Sequence, residues 1–389
     1  MMVENYWLAC EAALIGRDWV RPAFLHICDG RIEQVSSQRP KGQPLVEAGA
    51  GLLVPGFIDV QVNGGGGVLL NDNPSLQGLR KIFAAHSQFG TTAMLPTLIT
   101  DSLESMRSTA DAIAEAVATG EPGIIGVHFE GPHMSVAKRG VHSPQYLRSI
   151  SQAEMAVFAR QDLGLKVITV APEVVSPHQI SELVAMGVRV CLGHSNANAR
   201  QVQAALRAGA SGFTHLYNGM SALTSREPGM VGTALADEDS WCGLILDGHH
   251  LHPLSAKLAI RAKGMDKIML VTDAMPPVGT NDAEFSFYGE KVIRSGSKLM
   301  APSGSLAGSV LDMAGAVRYA VKCLDLPLED ALLMASQCPA AFLGIQDSYG
   351  SLQVGRRADM LLLDKQLQVQ HVWLAGQPWS LEKNNHEYC

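Results

Sequence analysis

The sequence has no Cys-x-x-Cys pair, no block of like charge and no apolar run that approaches the width of a bilayer. Each absence argues against a class of protein. The seven cysteines (Cys10, Cys28, Cys191, Cys242, Cys323, Cys338 and Cys389) are odd in number and scattered. Neither a disulfide framework nor a thiolate zinc knot is expected, and the setting is a reducing one. A membrane helix needs roughly 20 apolar residues, and an export signal needs a basic leading segment, where this chain has Glu4. A formal net charge of −7 argues against nucleic acid, because phosphate binding needs a basic face. The expected setting is cytoplasmic, with no membrane and no nucleic-acid partner. There is no internal repeat beyond the rhythm described next, and no low-complexity tract.

What is present is a sizeable core. Hydrophobic residues make up 47% and charged residues 17% of 389, which suits one large α/β domain plus a smaller one. Between about 52 and 275, short β-branched runs alternate with helical patterns. The runs cover 52–62, 91–99, 123–131, 165–173, 188–195, 211–218, 241–250 and 266–275. Helical patterns follow most of them, at 76–90, 101–120, 152–164, 178–187, 198–209 and 253–264, with two more near 309–324 and 328–342. In the 101–120 segment Leu103, Met106, Ala110, Ile113 and Val117 share one face. Asp101 with Glu104 is the expected cap, and Gly120 the expected stop. Eight near-continuous apolar strands, each feeding a helix, predict a closed (β/α)₈ barrel, with an open doubly wound sheet as the rival.

The chain ends read differently. Both alternate in short strands, and Asp29-Gly30 marks a hairpin. The expected division is a small β-sandwich domain from 1–54 plus 350–380, a barrel over 55–349 and a polar tail at 381–389.

In such barrels the chemistry stands at the C-terminal strand ends. Nine of the thirteen histidines lie between residues 128 and 252, seven of them in four strand-end clusters. Run 3 ends in His128-Phe129-Glu130-Gly131-Pro132-His133, run 5 in His194, run 6 in His215, run 7 in His249, His250 and His252, run 8 in Asp273. Singly, each reads most simply as a capping or turn residue. Together Glu130, His194 and His215 offer one carboxylate and two imidazoles, a catalytic rather than structural set for zinc or iron. Asp273 would then move the proton of a metal-activated water. His128 and His133 would support Glu130 or line the pocket, while His86, His178, His371 and His386 read as structural or exposed. Run 1 lacks something instead. Many metal-dependent hydrolases carry His-x-His where this chain has Gln61 and Asn63. Neutral amides are poor transition-metal ligands, so one metal per chain is expected, with the amides free to bond water, Asp273 or substrate.

The ordered set GFIDVQVNG, GVHFEGPH, LGHSNA, FTHLYNGM, DGHH, LVTDAM, SLAGS and GRRADMLLLD resembles the N-acetylglucosamine-6-phosphate deacetylase family of the amidohydrolase superfamily over about 50–365. The resemblance implies a distorted (β/α)₈ barrel beside a small β-sandwich, and hydrolysis of the acetamide of N-acetylglucosamine 6-phosphate. It implies Glu130, His194 and His215 as metal ligands, Asp273 as the acid/base, and His142 beside the scissile carbonyl. Gln61, Asn63, Val141, Asn218, Gly219, Arg226, His250, Leu306, Ala307 and Gly308 are the substrate contacts, with Arg226 toward the phosphate. His133 departs from a slot that is often aromatic in the family. A homodimer is implied, with a partner residue near the phosphate. Three alternatives stand beside this reading: a deacetylase for the galactosamine epimer, an amidohydrolase acting on a cyclic amide or nucleobase, and a non-catalytic scaffold. A cyclic-amide enzyme would want a lysine at the end of strand 4, whereas Lys166 stands at its start.

Overall fold

Every residue of Thr91–Ile99 is buried, as a strand covered on both faces requires. It is one of eight parallel strands: β1 Phe57–Val62, β2 Thr91–Ile99, β3 Gly126–Glu130, β4 Leu165–Val170, β5 Val188–Leu192, β6 Gly212–Phe213, β7 Trp241–Leu244 and β8 Ile268–Leu270. The computed structural model describes residues 5–380, so the expected tail at 381–389 lies outside the described residues. The strands hydrogen-bond in sequence order, with helices between them. The ring closes just past the regular strands. Val62 bridges Ala274 in parallel, and the Asp273 N–H donates to the Gln61 carbonyl at 3.0 Å. The barrel expected from the sequence is therefore the observed architecture, distorted at this seam. Helices Leu328–Ala335 and Gln337–Leu343 pack against both β1 and β8.

Local expectations met three corrections. The helix Leu103–Thr119 is capped by Ser102, whose side chain accepts from the Ser105 N–H, while Asp101 accepts from the Ser102 N–H and the Ser105 hydroxyl. Gly120 ends it in left-handed backbone, as read. The single helix expected over 328–342 breaks at Ser336. A further antiparallel sheet follows β8, with strands β9 Glu284–Phe287, β10 Glu290–Ser295, β11 Lys298–Met300 and β12 Leu306–Ser309. Its turn signals, Tyr288-Gly289 and Gly296, stood in the sequence unread. Helix Gly229–Ala236 also went unread.

Strands from both chain ends form two further sheets. One joins Asn5–Cys10, Ala23–Cys28, Arg31–Ser36 and Leu45–Glu47. The other joins Ala12–Ile15, Asp18–Val20 and Leu52–Pro55 with Met360–Leu363, Val369–Leu374 and Gln377–Trp379. Leu8, Leu25, Ile27 and Ile32 of the first meet Leu53, Met360, Leu362 and Trp373 of the second in one apolar cluster.

Candidate active site

The C-terminal barrel rim holds a cavity of about 170 Å³. Its walls include Asn63, Glu130, Val141, His142, His194, His215, Asn218, Gly219, His250, Asp273, Leu306 and Gly308, all expected from the sequence. Ile99, Gly140, Ile245 and Met275 also line it and were missed, because apolar and glycine positions carry no chemical signal.

Glu130 ends β3. The His215 Nε2 stands 3.1 Å and the His194 Nε2 3.5 Å from its Oε1, with the two ring nitrogens 3.0 Å apart. All three side chains are buried, and their donor atoms lie within 4.8 Å of one another. The His194 Nδ1–H donates to the Lys138 carbonyl at 2.9 Å, which leaves the Nε2 lone pair of a neutral ring for a ligand. That bond needs Gly219: a Cβ there would come within 3.0 Å of the His194 ring and 3.2 Å of the Lys138 oxygen, at a φ of +60°. Burial pushes the Glu130 carboxyl up, but the His194 and His215 rings beside it outweigh that and hold it well below the usual carboxylate range. The donor set thus fits a divalent cation: one anionic oxygen and two imidazole nitrogens converge, and among the described residues no lysine or arginine pairs with the carboxylate.

Asp273 faces this cluster. Its Oδ1 accepts from both strand-1 amides, the Gln61 Nε2 at 3.0 Å and the Asn63 Nδ2 at 2.7 Å. Gln61 Nε2 also reaches the Glu130 Oε1 at 3.0 Å, so it buttresses the site from behind rather than lining the cavity. Asn63 Oδ1 is buried without a partner. Burial, and then the nearby Glu130 charge, raise the Asp273 carboxyl above its ordinary range. His142 is buried, its Nδ1 2.8 Å from the Thr100 hydroxyl and its ring edge-on to His194. The His250 Nδ1–H donates to the Asp247 carboxylate at 2.7 Å. Asn218 Nδ2 donates to the His215 carbonyl at 3.2 Å.

Two expected contacts stand elsewhere. Leu306 and Gly308 face the cavity, so strand alternation turns Ala307 the other way, into an apolar cluster with Leu69, Met275 and Phe287. Arg226 lies exposed on the loop that runs outward from Gly219 and is not part of the cavity wall. His128 is a strut inside the barrel: its Nδ1–H donates to the Val60 carbonyl and its Nε2 accepts from the Thr169 hydroxyl. His133 turns away, donating to the Arg148 carbonyl. Lys166 donates to the carbonyls of Phe158, Arg160 and Met186, and no lysine lines the cavity.

Residues 52–379 match the amidohydrolase family. The chain is 54% identical to N-acetylgalactosamine-6-phosphate deacetylase of Shewanella sp. (strain ANA-3), covering 91% of this chain and 90% of that one. It is 37% identical to N-acetylgalactosamine-6-phosphate deacetylase of Escherichia coli O157:H7, over 95% and 98%. The solved N-acetylglucosamine-6-phosphate deacetylase of Pasteurella multocida superposes with a TM-score of 0.93 at 31% identity, over 97% of this chain and all of that one.

Proposed function

The chain belongs to the amidohydrolase family, and from that premise we propose that it hydrolyses the acetamide of N-acetyl-D-glucosamine 6-phosphate to D-glucosamine 6-phosphate and acetate. The observation that carries this is the convergence of Glu130, His194, His215 and Asp273 on one cavity, in a chain that follows solved deacetylases along nearly its whole length. The 54% identity to a galactosamine-phosphate relative favours a second reading, in which the galacto epimer is the substrate.

Glu130, His194 and His215 would hold one divalent ion, zinc first and iron as the alternative whichever epimer is the substrate. When bound, such an ion supplies Lewis acidity toward the amide carbonyl and toward water. Asp273 takes the proton of the attacking water and hands it to the departing amine; its raised proton affinity suits both transfers. Gln61 and Asn63 hold one of its oxygens by two N–H bonds and leave the other for the proton. His142, braced by Thr100, hydrogen-bonds the amide oxygen as charge develops there. Val141, Asn218, Gly219, His250, Leu306 and Gly308 enclose the sugar and exclude water. Arg226 offers a guanidinium to the phosphate. Because it stands outside the cavity wall, it meets a phosphate at the mouth, in its own subunit or across a homodimer. Exposed Val136, Leu223 and Leu254, on segments that flank the cavity residues, suit such an interface. The division into a 55–349 barrel and a sandwich from 1–54 and 350–380, and a cytoplasmic location, belong to the same proposal. No helix among the described residues is long and apolar enough to cross a membrane.

Acetate release from both epimeric N-acetylhexosamine 6-phosphates and from unphosphorylated N-acetylglucosamine, with metal analysis of the same preparation, tests this. The expected result is turnover of the phosphorylated sugars, the gluco epimer ahead, with the unphosphorylated sugar at least ~100-fold slower in kcat/KM. About one tightly bound ion per chain is expected of a three-ligand catalytic site. Two tight ions per chain, or no acetate from either phosphate, would refute the reading.

A further inference from the structure

Asp59 is the one carboxyl of β1, fully buried, and the chemistry above does not use it. Its Oδ1 accepts from the Gln61 N–H at 3.1 Å and more loosely from the Thr272 N–H at 3.4 Å. Its Oδ2 lies 2.5 Å from the Thr272 hydroxyl, which in turn lies 3.3 Å from the Gln61 carbonyl. No arginine, lysine or histidine is among these partners. The contacts span the seam between the first and last strands of the barrel, and two residues of the site hang on them. Gln61 extends its amide to Glu130 and Asp273. Thr272 precedes Asp273, whose own N–H donates to the Gln61 carbonyl. On the far side, the Ser309 hydroxyl donates to the Thr272 carbonyl at 2.6 Å and the Ser309 N–H to the Asp273 carbonyl at 3.0 Å. Asp273 sits between these supports at a φ of +52°, a conformation an L-residue keeps only when its surroundings over-determine it.

We propose that Asp59 is a positioning residue for the hydrolysis: its carboxyl clamps β1 to Thr272 across the seam and fixes the left-handed backbone from which Asp273 reaches the reacting atoms. This rests on Asp273 being the acid/base of the proposed reaction. The clamp works without charge. Burial pushes the Asp59 carboxyl up to about 7, against the hydrogen bonds from Thr272 and Gln61 that favour ionisation. An ionised Oδ2 accepts from the Thr272 hydroxyl; a protonated one can donate to the Thr272 oxygen instead, whose own proton then faces the Gln61 carbonyl. An amide at position 59 can make the same bonds, with an N–H in place of the O–H and an oxygen still facing the two backbone N–H groups. An apolar side chain of similar size can make none.

The test compares steady-state acetate release from an N-acetylhexosamine 6-phosphate by the wild type and by Asp59→Asn, Asp59→Val, Thr272→Val and Asp273→Asn, each with its metal content measured. Misplacing a reacting group by about 1 Å costs on the order of 100-fold. Asp59→Val is expected to lose roughly 10–100-fold in kcat with KM within about twofold and metal content unchanged. Asp59→Asn should stay within about threefold of wild type, and Thr272→Val should lose roughly tenfold in kcat. If Asp59→Val does not fold, Thr272→Val decides on the same split between kcat and KM. The clamp is overturned if kcat survives the valine, if asparagine is as damaging as valine, or if the loss tracks lost metal. An active Asp273→Asn enzyme would overturn the acid/base assignment and the clamp's purpose with it. A silent Asp59→Val in an enzyme disabled by Asp273→Asn overturns the clamp alone.

Discussion

The barrel rim and the paired end sheets both use left-handed backbone, but on different kinds of residue. In the end sheets it falls on strand connections, among them two-residue turns. Asp29-Gly30 joins Cys28 to Arg31, and Ala375-Gly376 joins Leu374 to Gln377. There the strand twist demands positive φ, and glycine takes half of it without penalty. At the rim the same conformation falls on His194 at +46°, His215 at +35° and Asp273 at +52°. His215 lies within the turn over 214–219, while His194 and Asp273 stand just past strand ends. Each costs of order 1–3 kcal/mol, and each points a reactive side chain into the cavity just past a strand end. In the end sheets the backbone conformation makes a connection. At the rim it aims a functional group, and its cost is carried by the surrounding hydrogen bonds.

The largest effect expected from breaking that contrast is at Asp273. Asp273→Asn keeps the shape and the left-handed tolerance of the position, yet turnover should fall by about 10³-fold or more, because both proton transfers are lost. Metal content should not change, and a kinetic assay beside a metal analysis separates the two. Next comes His86, buried under the rim with its Nε2 on the Gly64 carbonyl. Burial pulls its pKa from 6.5 down to about 4. The unfolded chain therefore binds a proton that the folded chain does not between those values. Stability from this residue is complete above pH 6.5 and is lost as pH falls toward 4, by roughly 3 kcal/mol at the limit. His86→Gln should flatten the fall of the urea midpoint over that window by about one proton's worth. The smallest effect is at the end-sheet turn. Gly30→Ala brings a Cβ within 3.0 Å of Ala375 at a φ of +73°, which should lower stability by about 1–2 kcal/mol and leave kcat unchanged. A loss of kcat there would erase the distinction between the two regions.

Much of this was readable beforehand where burial alone set the pattern. β2 has the same limits in sequence and structure because all nine of its residues are buried. The strand ends that bring Glu130, His194, His215 and Asp273 together were likewise legible, since each polar residue interrupts an apolar run. The run at 211–218 was read too long. Only Gly212–Phe213 pair as strand, and the chain leaves strand geometry where His215 turns left-handed. Positive φ on a histidine has no sequence signature, unlike positive φ on glycine. The same limit applies to Asp59, whose partner Thr272 lies more than 200 residues away. The side chain of Ala307 faces away from the cavity because neighbouring strand residues share a motif but not a face.

Leu52–Pro55 pairs on one side with Ala12–Ile15, available early, and on the other with Met360–Leu363. At about 5–20 residues per second, the second partner leaves the ribosome roughly 17–70 s after the first. For that interval the nascent chain carries an open strand edge, and Leu8, Leu25 and Ile27 lack the Met360, Leu362 and Trp373 they pack with in the folded chain. The eight strands of the barrel are synthesised within the same interval, so the barrel can close before its companion sheets do. A chaperone that shields strand edges has its longest window of use on this protein at the amino-terminal end.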